Sequence, residues 1–400
     1  MPAFNLTATL NKTTLPTNYD ATVFLLVKVE PTKEAEEAVK IRPRKVHIVF
    51  TIDNSGSMAG EKLDAAKEAI IRRFRKDLGE EDMLSLVTFS DTAEVILQSV
   101  SRKTTTDFES KVRGIGVGSL TNLYDGLVKS IDILKNTPAE YLRRVVLVTD
   151  GQPTTGVTDH DKIVKLVKEA KERYNIRFDV YGIGSDYDYE LCQRIADAGG
   201  GWMRHVEKAV DVEKTTKTST ETYKRTIVDT TILSVSLANN VKLEDVVMAL
   251  PEIKRLDVSA MQWDCGSLSA GKPIVVVMKL LVGKGFPPGT HKIAEVKVGI
   301  TKVEVTANFV TDMSFIQENV IQPRLYYLVA STIANMREKA GKELPTSEEE
   351  RFLNEIISKK EVKDLALNDP YFAVIVASYT SGKTIVDQRT KIDRVTHPMD

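Results

Sequence analysis

Three oxygen-bearing side chains, Asp53, Ser55 and Ser57, stand at alternating positions where the apolar run Val46–Ile52 (VHIVFTI) ends. A carboxylate and two hydroxyls are hard-oxygen ligands, better suited to Mg²⁺ than to a soft metal. Two later segments supply groups of the same kind. Asp150 ends a second apolar run, Arg144–Asp150 (RVVLVTD), and Gly151 and Pro153 turn the chain after it. Thr121 lies just before a helical pattern in Leu120–Leu127 (LTNLYDGL). The competing interpretation is that Asp53 and Asp150 simply cap helices.

The elements that must position these groups are legible. A continuous apolar, β-branched run reads as a buried parallel strand, and open α/β sheets bind ligands beyond the carboxyl ends of such strands. Strands are expected at Val46–Ile52, Leu84–Phe89, Glu94–Leu97, Val145–Thr149, Phe178–Ile183 and Trp202–Val206. Helical periodicity separates them, at Leu63, Ala66, Ile70 and Phe74, at Leu123, Leu127, Ile131 and Leu134, and at Ile163, Leu166, Val167, Ala170 and Tyr174. Alternation of this kind over 44–210 predicts a doubly wound parallel sheet covered on both faces.

Here the residues resemble a known family. Asp-x-Ser-x-Ser, then a Thr, then an Asp, is the pattern of the metal-ion-dependent adhesion site (MIDAS) in the von Willebrand factor A (vWA) fold. Asp53, Ser55, Ser57, Thr121 and Asp150 fill all five positions in order. The resemblance covers 44–210 and implies bound Mg²⁺ or another divalent cation such as Mn²⁺. Ser55 and Ser57 are expected as direct ligands. Asp53 and Asp150 hold the ion directly or through water and supply negative charge, and Thr121 ligates in either way. The family implies an open coordination position filled by a partner's carboxylate.

An enzyme is not expected. No histidine lies at a suggestive spacing from the two serines, and His47, His160, His205, His291 and His397 form no cluster, although a triad assembled in space is not excluded by sequence. Three glycine-containing segments are set aside. Ser381-Gly382-Lys383-Thr384 ends like a phosphate-binding loop, but Ala377 stands where its first glycine belongs. Gly182-Ile183-Gly184 lacks the third glycine of a dinucleotide fingerprint, and Gly199–Gly201 reads as a helix stop.

The flanks differ. Leu6–Leu10 and Ala21–Glu30 read as strands, as do Ile227–Leu237, Lys242–Leu250, Pro273–Leu281 and His291–Val310. The early strands need the late ones, since two strands alone are marginal. The expected organisation is therefore a β-sandwich of 1–43 and 211–312, with the vWA-like domain of 44–210 inserted in it. Thr215–Thr226 is either the return linker or a final helix. Helices follow over 313–380, with Pro323 expected to break the periodic stretch Phe315–Ala340 and Asp369-Pro370 to open a last helix, while Phe372–Ala377 could also be a strand. Residues 381–400 read as a flexible tail.

The tail carries Thr384-Ile385-Val386-Asp387 and Thr390-Lys391-Ile392-Asp393, both Thr-x-x-Asp. Forkhead-associated (FHA) domains bind phosphothreonine and often read the third residue after it, so Thr384 and Thr390 are candidate phosphorylation sites. The pattern recurs at Thr17, Thr88, Thr104, Thr158 and Thr226, so chance spacing competes with it. The layout as a whole resembles the archaeal motility-regulating vWA proteins, a family similar to the Sec23/Sec24 coat trunk. That resemblance implies a cytoplasmic phosphoprotein scaffold that recruits an FHA-domain partner, is served by a Ser/Thr protein kinase and a phosphatase, and represses archaellum expression. A metal-dependent binding or adhesion module is the alternative.

Composition narrows the partners. Lys+Arg 55 against Asp+Glu 56 leaves a net charge of −1, which gives no electrostatic footprint for nucleic acid. No apolar run reaches the roughly 18 residues of a membrane span. The start, MPAFNLTATLNK, lacks the pattern of a secretion signal. Cys192 and Cys265 form no metal or disulfide framework, and the triplets at Asn5 and Asn11 match glycosylation acceptors only by spacing. Together these predict a cytoplasmic location.

Overall fold

The computed structural model describes residues 2–184, 186–206, 208–209, 211–312, 320–342 and 344–380. The chain divides into two compact units, Val39–Thr226 and the flanks Met1–Ala38 with Ile227–Asp400.

The chain opens with β1 (Phe4–Leu10), β2 (Thr14–Pro16), β3 (Ala21–Pro31) and α1 (Lys33–Ile41). β1 and β3 pair antiparallel with Leu6 opposite Val29. Asn11 is buried between them, and its Oδ1 accepts the Phe24 N–H at 2.7 Å. Asn11 N–H in turn donates to Phe24 O at 3.0 Å, so the residue extends the β1–β3 pairing.

The Val39–Thr226 unit alternates strand and helix. It runs β4 (Val46–Asp53), α2 (Glu61–Arg72), β5 (Met83–Phe89), β6 (Ala93–Val100), α3 (Phe108–Arg113), α4 (Leu123–Leu134), β7 (Leu142–Thr149), α5 (His160–Tyr174), β8 (Ile176–Ile183), α6 (Tyr189–Gly199), β9 (Gly200–Val206) and α7 (Asp211–Lys224). The strand order is β6-β5-β4-β7-β8-β9. β4 lies at the point where the order reverses, with parallel neighbours β5 and β7. Every residue of β4 is buried. Its side chains alternate: Ile48, Phe50 and Ile52 join the core under α2, α3 and α7. Val49 joins the opposite core, under α4, α5 and α6. A strand buried on both faces is mostly apolar and shows no polar alternation, and its buried polar members His47 and Thr51 are each hydrogen-bonded.

The sheet is parallel except at one edge. β6 runs antiparallel to β5, because only Ser90, Asp91 and Thr92 separate them, too short a link for a crossover. The expected boundary at 210 also shifts. The Thr-rich stretch is a helix rather than a linker, and α7 places Val212 and Tyr223 in the core of this unit. Its threonines satisfy their hydroxyls by bonding back one turn, as Thr216 and Thr220 do to Val212 and Thr216.

The flanking unit continues with β10 (Thr226–Val228), β11 (Ile232–Leu237), β12 (Val241–Leu250), β13 (Lys254–Arg255), β14 (Gln262–Asp264), β15 (Leu268–Ser269), β16 (Ile274–Val282), β17 (Gly289–Val298) and β18 (Thr301–Val310), then α8 (Gln322–Gly341), α9 (Ser347–Ser358), α10 (Lys360–Asn368) and α11 (Pro370–Thr380). Two five-stranded sheets, β1-β3-β16-β12-β13 and β14-β11-β17-β18-β2, enclose one core. The expected run His291–Val310 is a hairpin that reverses at Gly299 (φ 58°).

The helices do not form a separate region. Along β16, Ile274, Val276 and Met278 face the sandwich core, while Val275 and Val277 face a second core made with α8–α11. Period-2 alternation thus sends one strand's apolar residues to two different layers. Pro323 is the second residue of α8 and breaks nothing, since a first-turn N–H has no partner in the helix. Residues 315–319 lie outside the described residues. Phe372–Ala377 is helix, not strand. Asp369 Oδ1 accepts the N–H groups of Tyr371 and Phe372 at 3.0 and 3.2 Å, the N-cap that starts α11.

Candidate metal centre

The five sequence-picked residues lie on three segments of the Val39–Thr226 unit. Asp53 is the last residue of β4, and a short 3-10 turn at Gly56–Met58 follows it. That turn carries Ser57 back toward the sheet. Thr149 ends β7, so Asp150 emerges beside Asp53 from the adjacent parallel strand. Thr121 precedes α4, whose N-cap Asn122 accepts from Asp125 N–H at 3.2 Å.

The loop bearing Thr121 is tied down on both sides. Gly118 N–H donates to Asn54 O at 2.7 Å, and Asn54 Nδ2 donates to Gly116 O at 2.9 Å. Asn122 N–H donates to Ser90 O at 2.7 Å. Gly118 is required there, because a Cβ would come within 2.2 Å of the Ser90 hydroxyl. On the other side, Thr121 N–H donates to Thr154 Oγ1 at 2.9 Å, and Thr154 N–H returns to Thr121 O at 3.0 Å.

The oxygens converge. Ser57 Oγ donates to Asp150 Oδ1 at 2.8 Å and lies 3.2 Å from Ser55 Oγ. Thr149 Oγ1 donates to Asp53 Oδ2 at 2.7 Å, and Ser55 N–H donates to Asp53 Oδ1 at 2.9 Å. Gly151 marks the centre. A Cβ on it would lie 3.7 Å from Ser57 Oγ, 3.7 Å from Thr121 Oγ1 and 3.8 Å from Asp53 Oδ2. Two oxygens of the 53–57 segment and the Thr121 hydroxyl therefore surround one small space beside Gly151, which a Cβ would enter. Asp53, Ser55, Thr121 and Asp150 are buried, whereas Ser57 is exposed and gives the group a face to solvent.

The electrostatics favour a cation. Burial raises the Asp53 carboxyl above its ordinary value, outweighing the hydrogen bonds from Ser55 and Thr149, and the Asp150 charge adds to the rise. Two buried carboxylates are ringed by neutral hydroxyls, and the Lys62 ammonium that reaches Asp150 from the rim offsets only one of the two charges. A hard divalent ion fits such an all-oxygen set. Among the described residues no cluster of three or more His, Cys, Asp or Glu could hold a metal, so any ion here relies on the hydroxyls.

Two residues of the site escape sequence reasoning. Thr149 orients Asp53 but is one more β-branched residue in an apolar strand. Lys62, in the first turn of α2, forms an ion pair with Asp150 Oδ2. Nothing distinguishes it in a chain holding 55 Lys and Arg residues. His47 and His205, among the described residues, are engaged elsewhere. His47 contacts the Thr137 and Ser85 hydroxyls at 2.7 and 2.9 Å, and His205 Nδ1 contacts Tyr187 Oη at 2.8 Å. Thr384 and Thr390 lie outside the described residues.

The von Willebrand factor type A domain family matches residues 47–221, the stretch that holds this site. The chain carries a vWA domain. Curated relatives share this part. Inter-alpha-trypsin inhibitor heavy chain H4 of Sus scrofa is 31% identical over 172 residues, covering 41% of this chain and 18% of the relative. Heavy chain H1 of the same species is 34% identical over 153 residues, covering 36% and 16%. The chain thus spans less than a fifth of the length of these curated relatives.

Two solved structures share the whole architecture around the vWA domain. A von Willebrand factor type A protein from Catenulispora acidiphila superposes with a TM-score of 0.72 at 16% identity, over 99% of this chain and 96% of that one. The ArnB paralog VWA2 from Sulfolobus acidocaldarius gives 0.61 at 17% identity, over 99% and 97%. At such identities the likeness is one of fold. Among the described residues no helix is long and apolar enough to cross a membrane.

Proposed function

We propose that this protein is a non-enzymatic binding module whose vWA domain engages an acidic partner side chain through a divalent cation, Mg²⁺ or Mn²⁺. Asp53, Ser55, Ser57, Thr121 and Asp150 hold the ion. The observation that carries this reading is the space beside Gly151, ringed by Ser57, Thr121 and Asp53 oxygens. Two carboxylates leave a divalent ion electrophilic, and the exposed side at Ser57 lets a partner oxygen complete its shell. The expected test result has two parts. Mn²⁺ titrates into the full chain with a calorimetric signal that Asp53→Ala abolishes. Proteins retained on the immobilised chain in Mg²⁺ are released by EDTA and are not retained by Asp53→Ala. Capture indifferent to both chelation and the substitution overturns the reading.

A second reading assigns the regulatory contact to the tail. Phosphorylated Thr384 and Thr390 would recruit an FHA-domain partner in the cytoplasm, with a kinase and a phosphatase setting the state, in control of archaellum expression. The two Thr-x-x-Asp segments support it, as does a layout in common with a protein described as an ArnB paralog. The two readings separate cleanly. FHA-partner binding survives EDTA and is lost when both threonines are alanine and after phosphatase treatment. If the double alanine chain still binds the partner, the tail reading fails.

A further inference from the structure

We propose that Lys62 is a tethered competitor of the divalent cation: its ammonium group neutralises Asp150 when no metal is held and must leave that carboxylate for the metal to bind. The inference deepens the metal-dependent reading above and rests on it.

Both oxygens of Asp150 are engaged by the protein itself, Oδ1 by the Ser57 hydroxyl and Oδ2 by Lys62. The carboxylate is fully buried, while the lysine side chain is 31% exposed and comes to it from the rim. A cation in the first turn of a helix works against the helix dipole, so the placement of Lys62 on α2 depends on a compensating anion. Asp150 is that anion. Gly184 lies beside the ammonium, where a Cβ would make ordinary contact at 3.8 Å from Nζ.

Charge counting gives the coupling. Asp53, Asp150 and Lys62 sum to −1. A divalent ion added while Lys62 stays brings the group to +1, and with Lys62 withdrawn it brings the two carboxylates to zero. The second state avoids placing an ammonium against a divalent ion in a half-buried site, where like charges repel strongly. Metal binding therefore releases Lys62 toward solvent on the side where a partner would approach. The freed ammonium is then placed to meet an acidic partner group at the rim.

The test is Mn²⁺ titration of the full chain by calorimetry, with melting temperature measured in EDTA and in Mg²⁺. Lys62→Met is expected to bind Mn²⁺ roughly tenfold tighter, the scale of one ion pair removed from competition. Its melting temperature in EDTA falls, because Asp150 is left buried without its cation, and Mg²⁺ restores it. Lys62→Gln keeps a donor toward Asp150 without the charge, and it shows the same gain in affinity if Lys62→Met folds poorly. Lys67→Met, the same charge change on the same helix at a residue paired with Asp64 and the Arg113 carbonyl, stays within about twofold of the parent, because neither partner belongs to the metal centre. Equal or weaker Mn²⁺ binding by both Lys62 variants, with binding by the parent intact, overturns the competition alone. If neither the parent nor the Lys62 variants bind Mn²⁺, the metal-dependent reading falls and this inference falls with it.

Discussion

Ser57 Oγ donates a hydrogen bond to Asp150 Oδ1 at 2.8 Å, joining the turn after β4 to the end of β7. One exposed hydroxyl thereby fixes the orientation of a carboxylate buried beneath it. The bond makes Ser57 both a candidate ligand and the group that aims another.

Ser57→Ala removes both roles while disturbing little packing. Loss of a group that orients a metal ligand costs roughly 10–100-fold in metal affinity. Mn²⁺ affinity measured by calorimetry should fall by at least that lower figure. The melting temperature in EDTA should fall only modestly, because buried Asp150 Oδ1 loses one donor while Lys62 still neutralises the carboxylate. A large drop in EDTA with unchanged Mn²⁺ affinity contradicts this assignment.

Much of the site could be read from the sequence because its residues sit where two apolar runs stop. Asp53 and Asp150 are conspicuous as carboxylates at the ends of two buried, mostly apolar strands. Thr121 could be placed because a helical pattern starts just after it. Thr149 and Lys62 were hidden for opposite reasons: one looks like any strand residue, the other like any surface lysine. The fold was legible where an unbroken apolar run of strand length decided it, as along β4, or where helical periodicity did, as along α4. It was less so for β6, whose direction is set by a three-residue connection rather than by its own pattern. Phe372–Ala377 shows the remaining ambiguity. An apolar run carries no period, and it was the cap at Asp369 that made it a helix.

His47 gives the vWA unit a pH dependence. It is buried, and burial, followed by the nearby Arg143 charge, lowers its pKa to about 4 from 6.5. The unfolded chain therefore takes up a proton that the folded chain refuses between those values. Stability rises with pH across that window and falls as pH drops from about 6.5 toward 4, by up to about 3 kcal/mol. Denaturant midpoints followed from pH 7 to pH 4 should show this slope. His47→Gln, which has no proton to gain, should be less stable at pH 7 and show a shallower fall.

Gly201, in β9, lies against the backbone of β8. A Cβ there would meet Phe178 O at 2.1 Å and Asp179 Oδ1 at 2.4 Å. The first contact is with main chain that is held in the sheet, so no side-chain rotation relieves it. Gly201→Ala should destabilise the unit by about 1–3 kcal/mol or more, the range for forced overpacking. Gly116→Ala, where a Cβ would touch nothing, serves as the comparison and should melt within a degree or two of the parent, as surface changes generally do. Equal melting of the two variants would remove the steric argument.

Asp369 holds the flanking unit's last helix to its sheet. Oδ1 caps α11, and Oδ2 accepts from Lys28 Nζ of β3 at 3.1 Å, from Tyr326 Oη at 3.0 Å and from Gln322. Burial alone would raise this carboxyl, but Lys28, the cap amides and Gln322 outweigh it and hold it below its ordinary 3.8. Its contribution is therefore complete above that value and is lost as pH falls through the lower folded value. Asp369→Ala should cost about 2–4 kcal/mol, because it removes the cap and leaves the Lys28 ammonium half-buried without its anion. Asp369→Asn retains a capping oxygen and should cost less, with the shortfall attributable to the charge. The gap between parent and Asp369→Asn should narrow as the medium is acidified from pH 6 through the carboxyl's lowered folded value, below which the parent is also neutral. A gap that stayed constant over that range would assign the whole effect to packing rather than to the ion pair.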